Sequence, residues 1–413
     1  MASFLNQLQH APGLNMNKPL ILTLILVLTL GGCAAPERPV ESEFCASGPV
    51  LLDAHFDGGQ LGTCEISPDG VFNLTLFPED EPPINKSPWY AFRVSGRTGD
   101  DVVIRMQFHD DFGYARYWPK LSRDGTHWDS LAEDQVTVAE DGNSVQLTLR
   151  LDQARVWLAG QEVLADAYYN HWLDELESRP DVTTLLVGKS TQGRPVILAE
   201  TPDRPELVLM IGRQHPPEVT GAIAMRSFID TVLADTELAR NFRARFKLAI
   251  VPLMNPDGVA GGHWRHNVGG VDVNRDWGPF TQPESTAVIR WVEQQEATGR
   301  KLQLMLDFHA TFEDLFYTQP VTTDPVDFAS LWLDASAERL PDFPFKHEAN
   351  PVSEQANSKN YFYKSRGIPA VTYESGDNTS RQQLEDSAVV FAEEMMRVML
   401  ESGSEGFRLE SAP

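Results

Sequence analysis

Four side chains in this 413-residue chain stand directly after, or a few residues beyond, runs of apolar sequence. His215 and Glu218 lie in IGRQHPPEVTG, residues 211–221, which follows the run ELVLMIG at 206–212. The run KLQLMLDF, 301–308, leads straight into His309, and GIPAVTY, 367–373, leads straight into Glu374. An H-x-x-E pair alone is weak, because a polar turn between two buried elements has the same composition. Repetition of the arrangement adds weight. If the three runs are parallel neighbours in one sheet, two imidazoles and two carboxylates converge on one edge. That edge, at the carboxyl ends of the strands, is where open α/β sheets build ligand sites. His215, Glu218 and His309 would form a His₂Glu shell. A catalytic zinc takes three such N/O ligands and keeps a fourth position for water, whose pKa drops to about 7. Glu374 is then left over, as a general base for hydrolysis must be. A structural zinc would more often use cysteines, and this chain has three, none with ligand spacing.

A substrate side can be read between these runs. The stretch GGHWRHNVGGVDVNRDW, 261–277, carries Arg265 and Arg275 in a glycine-rich loop. Asn274 and Arg275 could hold a carboxylate through bidentate hydrogen bonds, and Arg265 could face a developing oxyanion.

The elements that must position these groups are alternating strands and helices from about residue 160 onward. Ala165 to Leu176 has the helical period, VTTLLVG and RPVILAE read as strands, and Val219, Ala222, Ile223, Phe228, Ile229, Val232 and Leu233 recur at helical spacing. Pro217 suits the first turn of that helix, where a missing N–H costs nothing. A fourth strand, Lys247 to Leu253, ends in Asn255-Pro256-Asp257-Gly258. The intervening GKSTQG, 188–193, is not a G-x-S-x-G elbow, so Ser190 is read as a turn residue.

The chain before residue 160 has a different character. LILTLILVLTL, 20–30, is too short to span a bilayer and suits the core of a signal peptide, preceded by Met16-Asn17-Lys18. It ends in Leu30-Gly31-Gly32-Cys33, which resembles a bacterial lipobox, so the expectation is a signal over 1–33 and a lipid anchor on Cys33. A Pro/Glu/Ser-rich tether to about residue 45 follows. VFNLTLF, YAFRVSG, DVVIRMQFH and SVQLTLRL then alternate with period two, which predicts an antiparallel β-sandwich over 46–158. Its histidines, His55, His109 and His127, are scattered without ligand spacing and read as structural. Cys45 and Cys64 could close one disulfide in an oxidising compartment, or remain buried thiols. The formal charge of -25 argues against nucleic acid and anionic membrane surfaces as partners.

GKSTQGRPV, HPPE, NPDG, WRHN…GVDVNRDW, DFH and YESG together resemble the M14 zinc metallocarboxypeptidases, in that family's order, over about residues 165–400. LLDAHFDGGQLG, 51–62, is similar to the start of the β-sandwich of cytosolic carboxypeptidases. The resemblance implies a mixed-sheet α/β carboxypeptidase domain over 159–402, with a tail at 403–413. It implies one zinc ion on His215, Glu218 and His309, Arg265 polarising the scissile carbonyl, Asn274 and Arg275 on the terminal carboxylate, and Glu374 as base. It also implies a tyrosine that closes over substrate; Tyr361 is preferred over Tyr363. The family more often places an arginine between the first two ligands, where this chain has Pro216-Pro217. Lys359, Lys364, Arg366 and Arg381 are candidates for selecting acidic side chains. The expected activity is release of C-terminal residues from peptides with a free carboxylate. The rivals are a peptidoglycan stem-peptide amidase or carboxypeptidase facing the periplasm, an N-acyl amino acid deacylase, and an inactive binding lipoprotein.

Overall fold

A computed structural model describes residues 40–413 except 82, 83, 85, 109–114, 323–325, 351–353, 402–406 and 408–413. The signal segment, Cys33 and His109 lie outside the described residues. Among the described residues no helix is long and apolar enough to cross a membrane.

The first domain is a sandwich of two sheets. One holds six strands, Phe44–Ser47, Val50–Asp53, Ala91–Ser95, Arg155–Ala159, Lys120–Ser122 and Trp128–Ser130, all antiparallel. The other holds Thr63–Ile66, Phe72–Leu76, Asp101–Phe108, Ser144–Arg150 and Val136–Val138. Its Phe72–Leu76 and Asp101–Phe108 strands pair in parallel, a departure from the purely antiparallel expectation. The intervening Ala91–Ser95 strand belongs to the opposite sheet, so the chain re-enters this one in the same direction. The alternating pattern holds: Val102, Ile104, Met106 and Phe108 point into the core. Cys45 and Cys64 form a disulfide that ties an edge strand of one sheet to an edge strand of the other. His55 and His127 are solvent-exposed, His127 on Asp124 at 2.7 Å.

The second domain is a mixed eight-stranded sheet. Its strands are β1 Thr183–Lys189, β2 Pro195–Glu200, β3 Glu206–Gly212, β4 Phe246–Val251, β5 Lys301–Thr311, β6 Leu315–Thr318, β7 Lys346–Ala349 and β8 Ala370–Gly376. The spatial order is β1-β2-β4-β3-β5-β8-β6-β7. β4, β3, β5 and β8 run parallel at the centre. Their near-continuous apolar sequence suits strands buried on both faces. Helices Val219–Val232 and Arg381–Glu401 cover one face, and Pro283–Ala297 and Ser358–Arg366 the other. β5 and β8 extend further than the apolar runs suggest, so His309 and Glu374 lie inside strands and pair directly in the ladder.

Candidate active site

His215 and Glu218 leave β3 through a turn that proline stiffens and an arginine restrains. Arg213 has φ 56°, the left-handed region that costs a non-glycine residue of order 1–3 kcal/mol. Its buried guanidinium offsets this by donating from Nε to Pro216 O at 2.8 Å and from a terminal nitrogen to Tyr169 Oη at 2.9 Å. Pro216 and Pro217 supply no N–H, so the turn is gripped through a carbonyl and a side chain. The helix that begins at Val219 then presses on β5. A Cβ on Gly221 would come within 2.3 Å of His309 O, so only glycine lets the helix approach this closely.

The result is a buried triad. His215 Nδ1 lies 2.8 Å from Glu218 Oε1, His309 Nδ1 lies 2.7 Å from Glu218 Oε2, and the two Nδ1 atoms are 3.2 Å apart. Tetrahedral zinc with bonds near 2.0–2.1 Å spaces its nitrogen ligands by about 3.3 Å, so the donor set fits that ion. Each imidazole is held from behind. His215 Nε2 meets Asp272 Oδ1 at 3.0 Å, and His309 Nε2 meets Asp307 Oδ2 at 2.9 Å. A carboxylate on the far nitrogen fixes the ring so that Nδ1 faces the centre of the triad, where a metal ion would be held. Burial opposes ionisation of Glu218, yet His215 and His309 hold it well below the usual carboxylate range. Burial likewise opposes the charged form of His309, and Asp307 and Glu218 outweigh it. Such mutual dependence marks a cage of groups arranged around positive charge.

Asp272 and Asp307 were not singled out by sequence. Asp307 stands two residues before His309 on one strand and so shares its face, a signal that DFH contains. It also accepts from Gln214 Nε2 at 2.6 Å and from the Ser358 hydroxyl. Asp272 lies in an irregular loop with no such period. It accepts from the Arg265 Nε at 2.8 Å and the Asn274 N–H at 2.8 Å, joining His215 to Arg265 and Asn274.

A cleft of about 610 Å³ opens over the triad, lined by Arg265, Asn274, Arg275, Lys359, Tyr317 and Glu374. Glu374 is half-buried, and among the described residues its buried Oε2 has no hydrogen-bond partner. Burial, reinforced by Glu218, pushes its carboxyl up to about 7. Asn274 accepts the Ser358 N–H on Oδ1, and its Nδ2 sits 3.2 Å from His309 Nε2. Arg275 donates to Asn274 O at 2.8 Å, and among the described residues no carboxylate forms an ion pair with it.

The remaining expectations divide. Of the four cations, only Lys359 reaches the cleft. It donates to Thr318 O at 3.0 Å, and burial pulls its ammonium down to about 8. Lys364 pairs with Glu354, Arg366 with Glu296, and Arg381 with Glu162, all away from the cleft. Tyr361 does not line the cleft; its ring packs on Trp277, Phe280 and Phe362 because its helix turns that face to the apolar core. The tyrosine at the cleft is Tyr317, on β6. Ser190 is the turn residue expected, and its hydroxyl donates to buried Asp257 at 2.7 Å, which ties the GKSTQGR and NPDG stretches together.

Two further cleft residues come from the β-sandwich. Arg116 donates from Nε to Asp377 at 2.8 Å and from a terminal nitrogen to the Ser87 hydroxyl at 2.6 Å. Both Arg116 and Ser87 line the cavity.

Comparison with known proteins agrees with this geometry. The zinc carboxypeptidase family model matches residues 169–386, and the model of the cytosolic carboxypeptidase N-terminal domain matches residues 52–160. Human cytosolic carboxypeptidase 6 is 28% identical over 316 residues, and zebrafish cytosolic carboxypeptidase 2 is 29% identical over 318. These alignments take in 69% and 68% of this chain but 60% and 44% of the relatives, so the chain spans about half the length of those proteins. A metallo-carboxypeptidase from Burkholderia cenocepacia superposes with a TM-score of 0.71 at 19% identity, over 85% of this chain and 99% of that one. One from Pseudomonas aeruginosa, solved with (2-guanidinoethylmercapto)succinic acid, gives 0.68 at 20% identity, over 84% and 98%. The solved structures show the shared fold, and the family models span both domains: the chain belongs to the M14 zinc carboxypeptidase family, with the N-terminal domain of its cytosolic carboxypeptidase branch.

Proposed function

We propose that this protein is a zinc-dependent exopeptidase that removes the C-terminal residue of peptides. The observation that carries the reading is one cleft holding a convergent His215–Glu218–His309 triad, a half-buried Glu374 whose Oε2 is unpartnered and an arginine, Arg275, without a carboxylate ion-pair partner among the described residues. A zinc ion on the triad would supply Lewis acidity toward the scissile carbonyl and acidify a water. Glu374 takes a proton from the attacking water and returns it to the departing amine nitrogen as the C–N bond breaks. Its raised pKa suits both transfers near neutrality. Arg265, braced by Asp272, presents its remaining N–H donors to the carbonyl oxygen as charge develops there. Arg275 and Asn274 hold the substrate's free carboxylate, which sets cleavage one bond from the end.

Lys359 refines the substrate. A buried ammonium facing a cleft, with a carbonyl as its hydrogen-bond partner, favours a last residue with an acidic side chain. Export and acylation at Cys33 are part of the same proposal. The L-G-G-C sequence supports them, and the Cys45–Cys64 bridge suits an oxidising compartment outside the cytosol. Mass spectrometry of the N-terminal peptide from native membranes, compared with a C33S variant, tests that part; an unmodified Cys33 would refute it.

The activity is tested by incubating purified protein with paired free-acid and amidated peptides and muropeptides, with Glu374→Gln as control. Release of single C-terminal residues from free acids alone is expected. Equal turnover of amidated peptides would sink the exopeptidase reading.

A further inference from the structure

The loop that carries Arg265 is built on the other domain. Trp264 is buried in the core of the β-sandwich, where its Nε1 donates to Trp89 O at 3.1 Å. Just before it, Gly262 has φ 64°, and a Cβ there would meet Gly59 O at 2.9 Å. Gly58 N donates to Ala260 O at 2.8 Å, so FDGGQLG, at 56–62, serves as the seat for this loop. Glu79, on the segment after the Phe72–Leu76 strand, closes the arrangement. Its carboxylate accepts three consecutive backbone N–H groups, from Trp264 at 2.6 Å, Arg265 at 2.8 Å and His266 at 2.5 Å. Asp80 adds a hydrogen bond with His266 Nδ1 at 2.7 Å.

We infer that Glu79 is a positioning residue for catalysis: by fixing the backbone at Arg265 it aims that guanidinium into the cleft of the neighbouring domain. The inference rests on the exopeptidase reading, in which Arg265 polarises the scissile carbonyl. The chain of contacts is continuous. Glu79 holds the Arg265 N–H, the Arg265 side chain bonds Asp272, and Asp272 bonds His215. Three charge-assisted hydrogen bonds to one carboxylate restrict the peptide planes on both sides of residue 265, so its Cα enters the cleft at a set height and angle. The β-sandwich thereby acts as part of the catalytic apparatus rather than as a separate module.

A double-mutant cycle on the full chain tests this. Glu79→Ala should lower kcat about 10- to 100-fold, the cost of misplacing a transition-state contact, with KM within about threefold and one zinc per chain retained. Glu79→Gln, which keeps one acceptor oxygen, should fall between wild type and Glu79→Ala. In an Arg265→Ala background, Glu79→Ala should cost less than about threefold, since the group it aims is gone. The same loss in both backgrounds, a drop in zinc content, or unchanged kcat in Glu79→Gln and Glu79→Ala would each overturn the inference. If wild type itself releases no C-terminal residue, the exopeptidase reading fails instead.

Discussion

Among the described residues two clusters bring histidine and carboxylate side chains within ligand distance of one another. His215, Glu218 and His309 form one, and Glu79, Asp80 and His266 the other, each with ligand atoms within 4.8 Å. They differ in what their atoms already hold. In the first, both Nδ1 atoms and both Glu218 oxygens face one point, while Asp272 and Asp307 take up the far nitrogens. In the second, Glu79 is spent on three backbone N–H groups and Asp80 on His266. The first is a cage and the second a clasp. Residue type and spacing alone do not separate them; partner saturation does. The same test sorts the cations, with Arg275 and Lys359 lacking a carboxylate partner among the described residues and Arg366 and Arg381 engaged outside the cleft.

The most damaging test of that distinction is to delete one imidazole from each cluster. His309→Ala should abolish stoichiometric zinc and reduce activity to background, since two ligands rarely hold a catalytic zinc. His266→Ala should keep one zinc per chain by elemental analysis. Equal zinc loss in both, or a second equivalent lost with His266, would erase the difference. Next in size is Glu374→Gln, which should keep zinc and lower kcat by about 10²- to 10⁴-fold, the usual reach of a general base. Asp307→Ala should follow, weakening zinc about 10- to 100-fold in competition with a chelator, because His309 would lose the carboxylate that orients it.

The convergence of His215, Glu218 and His309 was legible because each sits at or near the end of an apolar run, and apolar runs in an α/β protein announce a buried parallel strand. Asp307 was within reach of the same logic through its i, i+2 relation to His309. Asp272, Glu79 and Arg116 were not. Their roles depend on where irregular segments and a separate domain fold back, and no periodicity encodes that. Tyr361 misled for a related reason: NYFYKSR has two tyrosines on one helix, and only packing on Trp277 and Phe280 reveals which way each turns. The parallel pair in the sandwich was hidden too, because alternation reports which face is buried and not strand direction.

Lys359 sharpens the contrast among cations through pH. Burial depresses its ammonium to about 8, so it is charged below that value and neutral above. In kcat/KM, which reports the free enzyme, preference for a C-terminal glutamate over glutamine should be full near neutrality and fall as pH rises through about 8. Lys359→Met should remove roughly tenfold of the preference at pH near 7, a single charge-assisted contact, and flatten its pH dependence. Lys364→Met, whose ammonium is paired with exposed Glu354, should leave both unchanged.

The smallest effect belongs to the clasp. Asp80 is about a third exposed in its pair with His266, and solvent-screened pairs of this kind contribute about 0.2–1 kcal/mol. Asp80→Asn keeps the shape and loses the charge, so thermal unfolding should shift by less than about 2 °C. Zinc content should stay at one per chain, and kcat should change by less than about twofold, because Glu79 alone grips the N–H groups on either side of Arg265. A measurable fall in zinc occupancy with Asp80→Asn would mean the second cluster binds an ion after all. Neutrality in zinc and kcat, set beside a loss in Glu79→Ala, would show that the clasp works through backbone hydrogen bonds and that its one imidazole is a bystander.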